Sequence, residues 1–161
     1  MNAARPQVRM NRSPVLLLQV VIVLVGIAAF ALLLWEPHIE GRNARATAFE
    51  IYFNDPFLAW AYVGSIPFFV ALYRAFRLAS HVRENGALSQ VTMDGLRVIT
   101  HCMMAFIGFV AGGLALVIMF GDGDDRPAGI FMGILVALPS IVVAIVATAF
   151  ARRLQDALSA A

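Results

Sequence analysis

The sequence predicts an all-α fold, an integral membrane four-helix bundle that forms one domain over residues 1–161. Of the 161 residues, 61% are hydrophobic and 14% are charged, whereas a soluble domain has about half apolar and about a quarter charged residues. Four continuous apolar runs are each long enough to cross about 30 Å of hydrocarbon as a helix. Because the runs do not alternate between polar and apolar residues, helices are favoured over the strands of a membrane barrel.

The four runs define the predicted helices. The first run is interrupted only by Gln19, and it is too long for the core of a signal peptide, so it is interpreted as a retained anchor. The second run is the shortest, and its helix is expected to continue past Arg74 and Arg77. The apolar runs are Val15–Trp35, Phe57–Tyr73, Val98–Phe120 and Ala128–Ala151. The predicted helices are residues 15–35, 57–79, 96–120 and 128–151, with a loop over residues 80–95.

Turn signals place the ends of the middle helices. Helix two is expected to extend as far as His81–Arg83 and to stop at Asn85-Gly86 through a left-handed cap, because glycine adopts positive φ at little cost. A new helix is then expected to open at Ser89, a favoured N-cap residue.

Prolines and small residues lie inside the spans. Pro67 and Pro139 are predicted to bend their helices, with Ser65 and Ser140 re-satisfying the freed carbonyl groups; a broken-helix transport site is the alternative. Small residues recur every four positions, which permits close approach of helices in lipid. We expect them to pack helices three and four against each other, with a dimerisation face as the alternative. They are Gly108, Gly112, Gly129, Gly133 and Ala137.

The distribution of arginine predicts the orientation. Arginine supplies all of the basic residues, and nine of the twelve flank the spans on one side. The positive-inside rule places that side in the cytoplasm of a bacterial inner membrane, with both termini cytoplasmic. The nine are Arg5, Arg9, Arg12, Arg74, Arg77, Arg83, Arg97, Arg152 and Arg153, and Arg42, Arg45 and Arg126 lie opposite.

The sequence predicts no catalytic, cofactor-binding or metal site. A haem-binding bundle needs paired histidines within its spans, a disulfide-generating enzyme needs two cysteine pairs, and a proton-coupled exporter needs a carboxylate in the bilayer. The spans contain one histidine, one cysteine and no carboxylate. A net charge of +2 is too small to predict direct binding of nucleic acid.

Two groups of residues are the functional candidates. The first is a charged set at the end of helix two that could dock a cytoplasmic partner or anionic lipid headgroups, or serve only as solvated charge at a helix exit. Its members are Arg74, Arg77, His81, Arg83 and Glu84. The second is His101, an ionisable residue within a span, for which a structural role is preferred over a proton or ligand role.

A family resemblance covers roughly Ala48 to Leu158. It is carried by the stretch Ile66-Pro-Phe-Phe-Val-Ala-Leu-Tyr-Arg-Ala-Phe-Arg-Leu-Ala, by Asn85-Gly-Ala-Leu-Ser, and by Leu96-Arg97. These segments resemble the YoaS-like family of small bacterial four-helix membrane proteins of unknown function. The resemblance implies an inner-membrane protein that is often encoded beside a small helix-turn-helix regulator, and it implies no catalytic residue.

The resulting expectation is a non-enzymatic, multi-pass membrane protein. It would bind or regulate a partner through its cytoplasmic loop, with the helix-turn-helix regulator as the partner that the resemblance suggests. The alternative is a small transporter or channel subunit that acts as a homo-oligomer.

Overall fold

The computed structural model of the protein describes residues 12–39, 47, 49, 56–87, 89–120 and 126–159. Four helices account for nearly all of them: α1 (Arg12–Ile39), α2 (Pro56–Asn85), α3 (Gln90–Phe120) and α4 (Arg126–Ser159). All four are long enough and apolar enough to cross a membrane. The prediction of an all-α membrane bundle with four spans is therefore confirmed. The arginines at positions 5, 9, 42 and 45 lie outside the described residues, and the orientation remains a prediction.

Each helix extends beyond the apolar run that predicted it. Residues 80–85 belong to α2 and residues 90–95 belong to α3, so the predicted loop over residues 80–95 is reduced to the short connection between Asn85 and Gln90. An apolar run ends where contact with hydrocarbon ends. A helix, in contrast, continues in water until a capping residue stops it.

The helices pack in chain order. The largest contacts join α3 to α4 and α2 to α3, and α1 packs mainly on α2. The buried centre lies among α2, α3 and α4, where Phe68, Leu78 and Phe106 pack around small and flexible side chains. That centre consists of Ala71, Ile99, Met103, Ala144 and Ala147. Because lipid supplies little hydrophobic force between helices, these alanines stabilise the bundle by allowing close contact.

Several glycines lie against large side chains of neighbouring helices. Gly129 and Gly133 of α4 face Val117 and Leu114 of α3, as expected for internal packing of these two helices. Gly112, in contrast, faces Trp60 of α2, and a Cβ at Gly108 would meet nothing within 4 Å. The four-residue spacing therefore does not form one continuous glycine face between α3 and α4.

Both proline-containing helices continue without a break. Pro67 lies inside α2 and Pro139 inside α4. A proline frees the carbonyl four residues earlier, at Val63 and Leu135 respectively. Ser65 instead donates to the carbonyl of Tyr62 at 2.7 Å, and Ser140 donates to that of Val136 at 2.7 Å. The serines thus bind carbonyl groups next to the freed ones, contrary to the expected repair.

Helix α1 is attached to α2 by two polar contacts near its ends. Gln19 is 7% exposed, and its Nε2 donates to the hydroxyl of Ser80 at 2.7 Å. Tyr62 donates its hydroxyl to the carbonyl of Leu33 at 2.9 Å. Most of the remaining large side chains of α1 are exposed, as expected for a helix surrounded by lipid.

Candidate functional site at the arginine-rich end

The connection between α2 and α3 begins with a glycine cap. Gly86 has φ of 85°, a left-handed conformation that glycine adopts without steric cost. Its N–H donates to the carbonyl of Val82 at 3.0 Å, which satisfies one of the last carbonyl groups of α2. The predicted stop at Asn85-Gly86 is confirmed.

Ser89 caps the start of α3, as its residue type predicts. Its hydroxyl accepts the N–H of Thr92 at 3.2 Å and lies 2.9 Å from the hydroxyl of Thr92. The carbonyl of Ser89 also accepts from the N–H of Met93 at 3.2 Å. These bonds fix the direction in which the chain enters α3.

His81 joins the two caps. Its Nδ1 lies 3.2 Å from Nδ2 of Asn85, and its Nε2 lies 3.3 Å from the hydroxyl of Ser89. The Nδ2 group of Asn85 is a donor, so this pair of contacts fits the tautomer in which Nδ1 accepts and Nε2 donates to Ser89. The half-buried histidine therefore forms part of the internal bonding of the connection.

Arg83 and Glu84 form the charged surface of this connection. A guanidinium nitrogen of Arg83 lies 3.5 Å from a carboxylate oxygen of Glu84, and the two side chains are 32% and 64% exposed. An exposed ion pair of this kind contributes little to the stability of the fold. Because both side chains are exposed, their charges remain accessible to another molecule.

The other predicted arginines lie in different surroundings. Arg77 donates to the hydroxyl of Tyr73 at 3.2 Å, and its guanidinium carbon lies 5.9 Å from the centre of the Tyr73 ring. Arg74 is exposed on the same helix. Arg97 of α3 donates to Gln155 of α4 at 3.2 Å, which adds a polar contact between these helices near the connection. The predicted residues thus have separate contacts, and their role as a binding set stays a prediction.

His101 lies on the exposed surface of α3. Its Nδ1 is 2.7 Å from the carbonyl of Arg97, one turn earlier in the same helix. Beside it, Thr100 lies 3.5 Å from Thr148 of α4, and Cys102 packs against the buried centre. The imidazole is therefore held by its own backbone and faces away from the bundle interior.

Within the described ranges, no three His, Cys, Asp or Glu side chains gather in a way that could hold a metal ion. Every buried side-chain nitrogen or oxygen in this part of the chain has a hydrogen-bond partner.

Two of the interhelical contacts that were not predicted involve Gln19 and Trp60. The pair Gln19–Ser80 has a visible signal, since Gln19 is the one polar interruption of an apolar run. The indole of Trp60 donates to the carbonyl of Phe109 at 2.9 Å. This contact has no sequence signal beyond the adjacent glycines at 112 and 113, because a tryptophan near a helix end is equally typical of the membrane interface.

These features define a multi-pass membrane protein with four helices and a capped, charged connection between the second and third. The chain belongs to the DUF2975 family of proteins of unknown function, whose family model matches residues 41–160. It is also 30% identical over 150 residues to the uncharacterized membrane protein YoaS of Bacillus subtilis (strain 168), and the alignment covers 92% of this chain and 94% of that protein. No solved structure matches the chain. The resemblance to YoaS-like proteins is confirmed.

Proposed function

We propose that this protein is a non-enzymatic component of the bacterial inner membrane that binds a cytoplasmic partner through the connection between α2 and α3. The observation that carries the proposal is the hydrogen bonding that joins the two helix ends at this connection. His81, Gly86 and Ser89 hold the two helix ends, while Arg83 and Glu84 remain exposed beside them. A surface that is ordered before binding loses less conformational entropy when a partner docks.

The predicted orientation would put this surface in the cytoplasm. Nine of the twelve arginines flank the side that carries the connection, and the positive-inside rule assigns that side to the cytoplasm. An even number of spans then puts both termini on the same side. A tag fused to either terminus should be accessible from the cytoplasm, and accessibility only from the periplasm would contradict the arrangement.

The partner suggested by the family resemblance is a small helix-turn-helix regulator. Adjacent charges of opposite sign favour a protein surface that carries the complementary pair, since such surfaces fix the register of docking. A net charge of +2 gives little support to direct binding of DNA by this chain. Any DNA would be bound by the regulator.

A pull-down from solubilised membranes tests the proposal. The double variant Arg83→Glu/Glu84→Arg keeps the net charge but reverses both signs, so it should reduce co-purification of the partner without lowering expression. The matched control is Arg152→Ala/Arg153→Ala, which removes two exposed charges from α4 at the same end of the bundle. Equal recovery of the partner with the reversed pair would refute the proposal, as would equal loss with the control.

The alternative function is a small transporter or channel subunit acting as a homo-oligomer. It predicts that His101→Ala changes flux in liposomes. The contact of His101 with the carbonyl of Arg97 favours a structural role for the ring, because that contact satisfies Nδ1 within its own helix.

A further inference from the structure

An apolar groove of about 480 Å³ runs between α1 and α2. Along α1 it extends from Ile22 to Phe30, a length of about 12 Å at the rise of an α-helix. This is slightly less than half of the roughly 30 Å hydrocarbon thickness of a bilayer, and hence about the depth of one leaflet. Its lining includes Ile22, Gly26, Phe30, Phe69, Leu72 and Phe76.

Glycine and aromatic residues line the groove. Gly26 leaves space beside Leu72, since a Cβ at Gly26 would lie 3.5 Å from that side chain, an ordinary contact distance. Phe30 and Phe69 meet edge to face, with ring centres 6.3 Å apart. Because Gly26 has no side chain, the wall of the groove beside Leu72 and the two rings is apolar surface that a flexible hydrocarbon chain can cover.

A cation lies at the end of this groove. Tyr73 belongs to the lining, and Arg77 lies against both the hydroxyl and the ring of Tyr73. These contacts hold the guanidinium of Arg77 in place. The hydroxyl and the ring of Tyr73 carry no net charge, and no carboxylate of the described residues pairs with Arg77.

The register of α1 against α2 puts Arg77 at the depth of apolar side chains. Gln19 pairs with Ser80, and Ile22 shares the groove with Phe76, so Val21 of α1 lies level with Arg77 and Val20 lies one residue beyond it. These valines are 45% and 57% exposed, and the exposed leucines 16–18 continue beyond them. Exposed apolar surface therefore continues past the level of Arg77, and a charge among such side chains needs an anion or a path to the interface.

We propose that the groove binds an anionic phospholipid from the leaflet at the arginine-rich end. One acyl chain would lie along α1 and α2, and the phosphate would accept hydrogen bonds from Arg77. A zwitterionic headgroup brings its own cation, which offsets the attraction, so the net negative headgroup is preferred. This site is separate from the charged connection of Arg83 and Glu84, and it requires no cytoplasmic partner.

Native mass spectrometry of the detergent-solubilised protein tests the headgroup. Phosphatidylglycerol and phosphatidylcholine with identical acyl chains are compared at equal concentration. We expect about fivefold tighter binding of phosphatidylglycerol to the unsubstituted chain, the effect of one arginine near an anionic lipid. Arg77→Gln should abolish the preference, whereas Arg83→Gln should retain it. Absence of a preference, its retention in Arg77→Gln, or an equal loss in Arg83→Gln would overturn the proposal.

A second pair of variants tests the groove. Gly26→Leu places a side chain into it and should lower binding of both lipids, whereas Gly108→Leu adds the same volume at an open position of α3. Lowered binding in the control alone, or unchanged binding in both, contradicts the site.

A photocrosslinking experiment on the unsubstituted protein avoids the problem of misfolded variants. A phosphatidylglycerol with a diazirine in its acyl chain should attach to residues 22–30 of α1 or 69–76 of α2. Crosslinks confined to other segments would place the lipid elsewhere and exclude the groove.

Discussion

Gln19 of α1 donates a hydrogen bond of 2.7 Å to Ser80 of α2, and Gln19 is buried where the two helices meet. Ser80 in turn lies 3.3 Å from the carbonyl of Phe76, to which it donates. The pair thus links the side chain of one membrane helix to the backbone of the next. It is one of the polar contacts that join α1 to α2, the helix on which α1 mainly packs.

Removing the hydroxyl of Ser80 should destabilise the bundle more than removing both partners. Ser80→Ala leaves the buried amide of Gln19 unpaired, which costs about 1–3 kcal/mol. The double variant Gln19→Leu/Ser80→Ala removes the donor as well and should recover most of that loss. The free energy of unfolding in mild detergent measures both. A double variant that is less stable than Ser80→Ala would contradict this account.

Gly112 should tolerate alanine far less well than Gly108. A Cβ at Gly112 would lie 2.7 Å from the indole of Trp60, whose N–H is fixed on the carbonyl of Phe109. Overpacking of this kind costs about 1–3 kcal/mol. At Gly108 the same methyl meets nothing, and helix propensity favours alanine by about 1 kcal/mol.

Thermal unfolding of Gly112→Ala and Gly108→Ala gives the comparison. We expect a lower midpoint for the first variant and an unchanged or higher midpoint for the second. If the two variants unfold together, the contact of Trp60 with the glycine does not contribute to stability.

Much of the fold follows from the sequence because the bilayer imposes it. An apolar run that crosses hydrocarbon must form a helix, so four runs predict four helices. The caps at Gly86 and Ser89 were also predictable, since each depends on the local conformational preference of one residue. Helix spans and caps depend on the chemistry of residues that are close together in the chain, and a single sequence shows those residues.

Contacts between helices were less predictable. His81 shares a helical face with Arg74 and Arg77 by spacing, yet its ring reaches Ser89, the cap of α3. Which neighbour a side chain meets depends on the rotation and depth of each helix, and these follow from packing of the whole bundle. For the same reason, the four-residue spacing did not predict the partner of Gly112, which lies against Trp60 of α2.

Substitutions in the connection should loosen it locally. Gly86→Ala forces a Cβ into a left-handed conformation, at a cost of about 1–2 kcal/mol. Ser89→Ala removes the cap of α3, at a cost of about 0.5–2 kcal/mol. Hydrogen–deuterium exchange should accelerate over residues 82–93 in both variants and stay unchanged within the spans. The matched control is Ser159→Ala, which removes a hydroxyl near the end of α4. Uniform acceleration across all helices would show that the connection is not an independent unit.

His101→Ala should leave the stability of the bundle within about 0.5 kcal/mol of the unsubstituted protein, the usual range for surface positions. The reason is that the imidazole is exposed and binds only the carbonyl of Arg97 in its own helix. Ser80→Ala is the informative comparison, because the hydroxyl of Ser80 accepts a hydrogen bond from the buried amide of Gln19 between α1 and α2. That variant should lower the unfolding midpoint. If His101→Ala is the more damaging of the two, or if it alters flux in liposomes, the histidine has a role beyond its own helix and the transport alternative gains support.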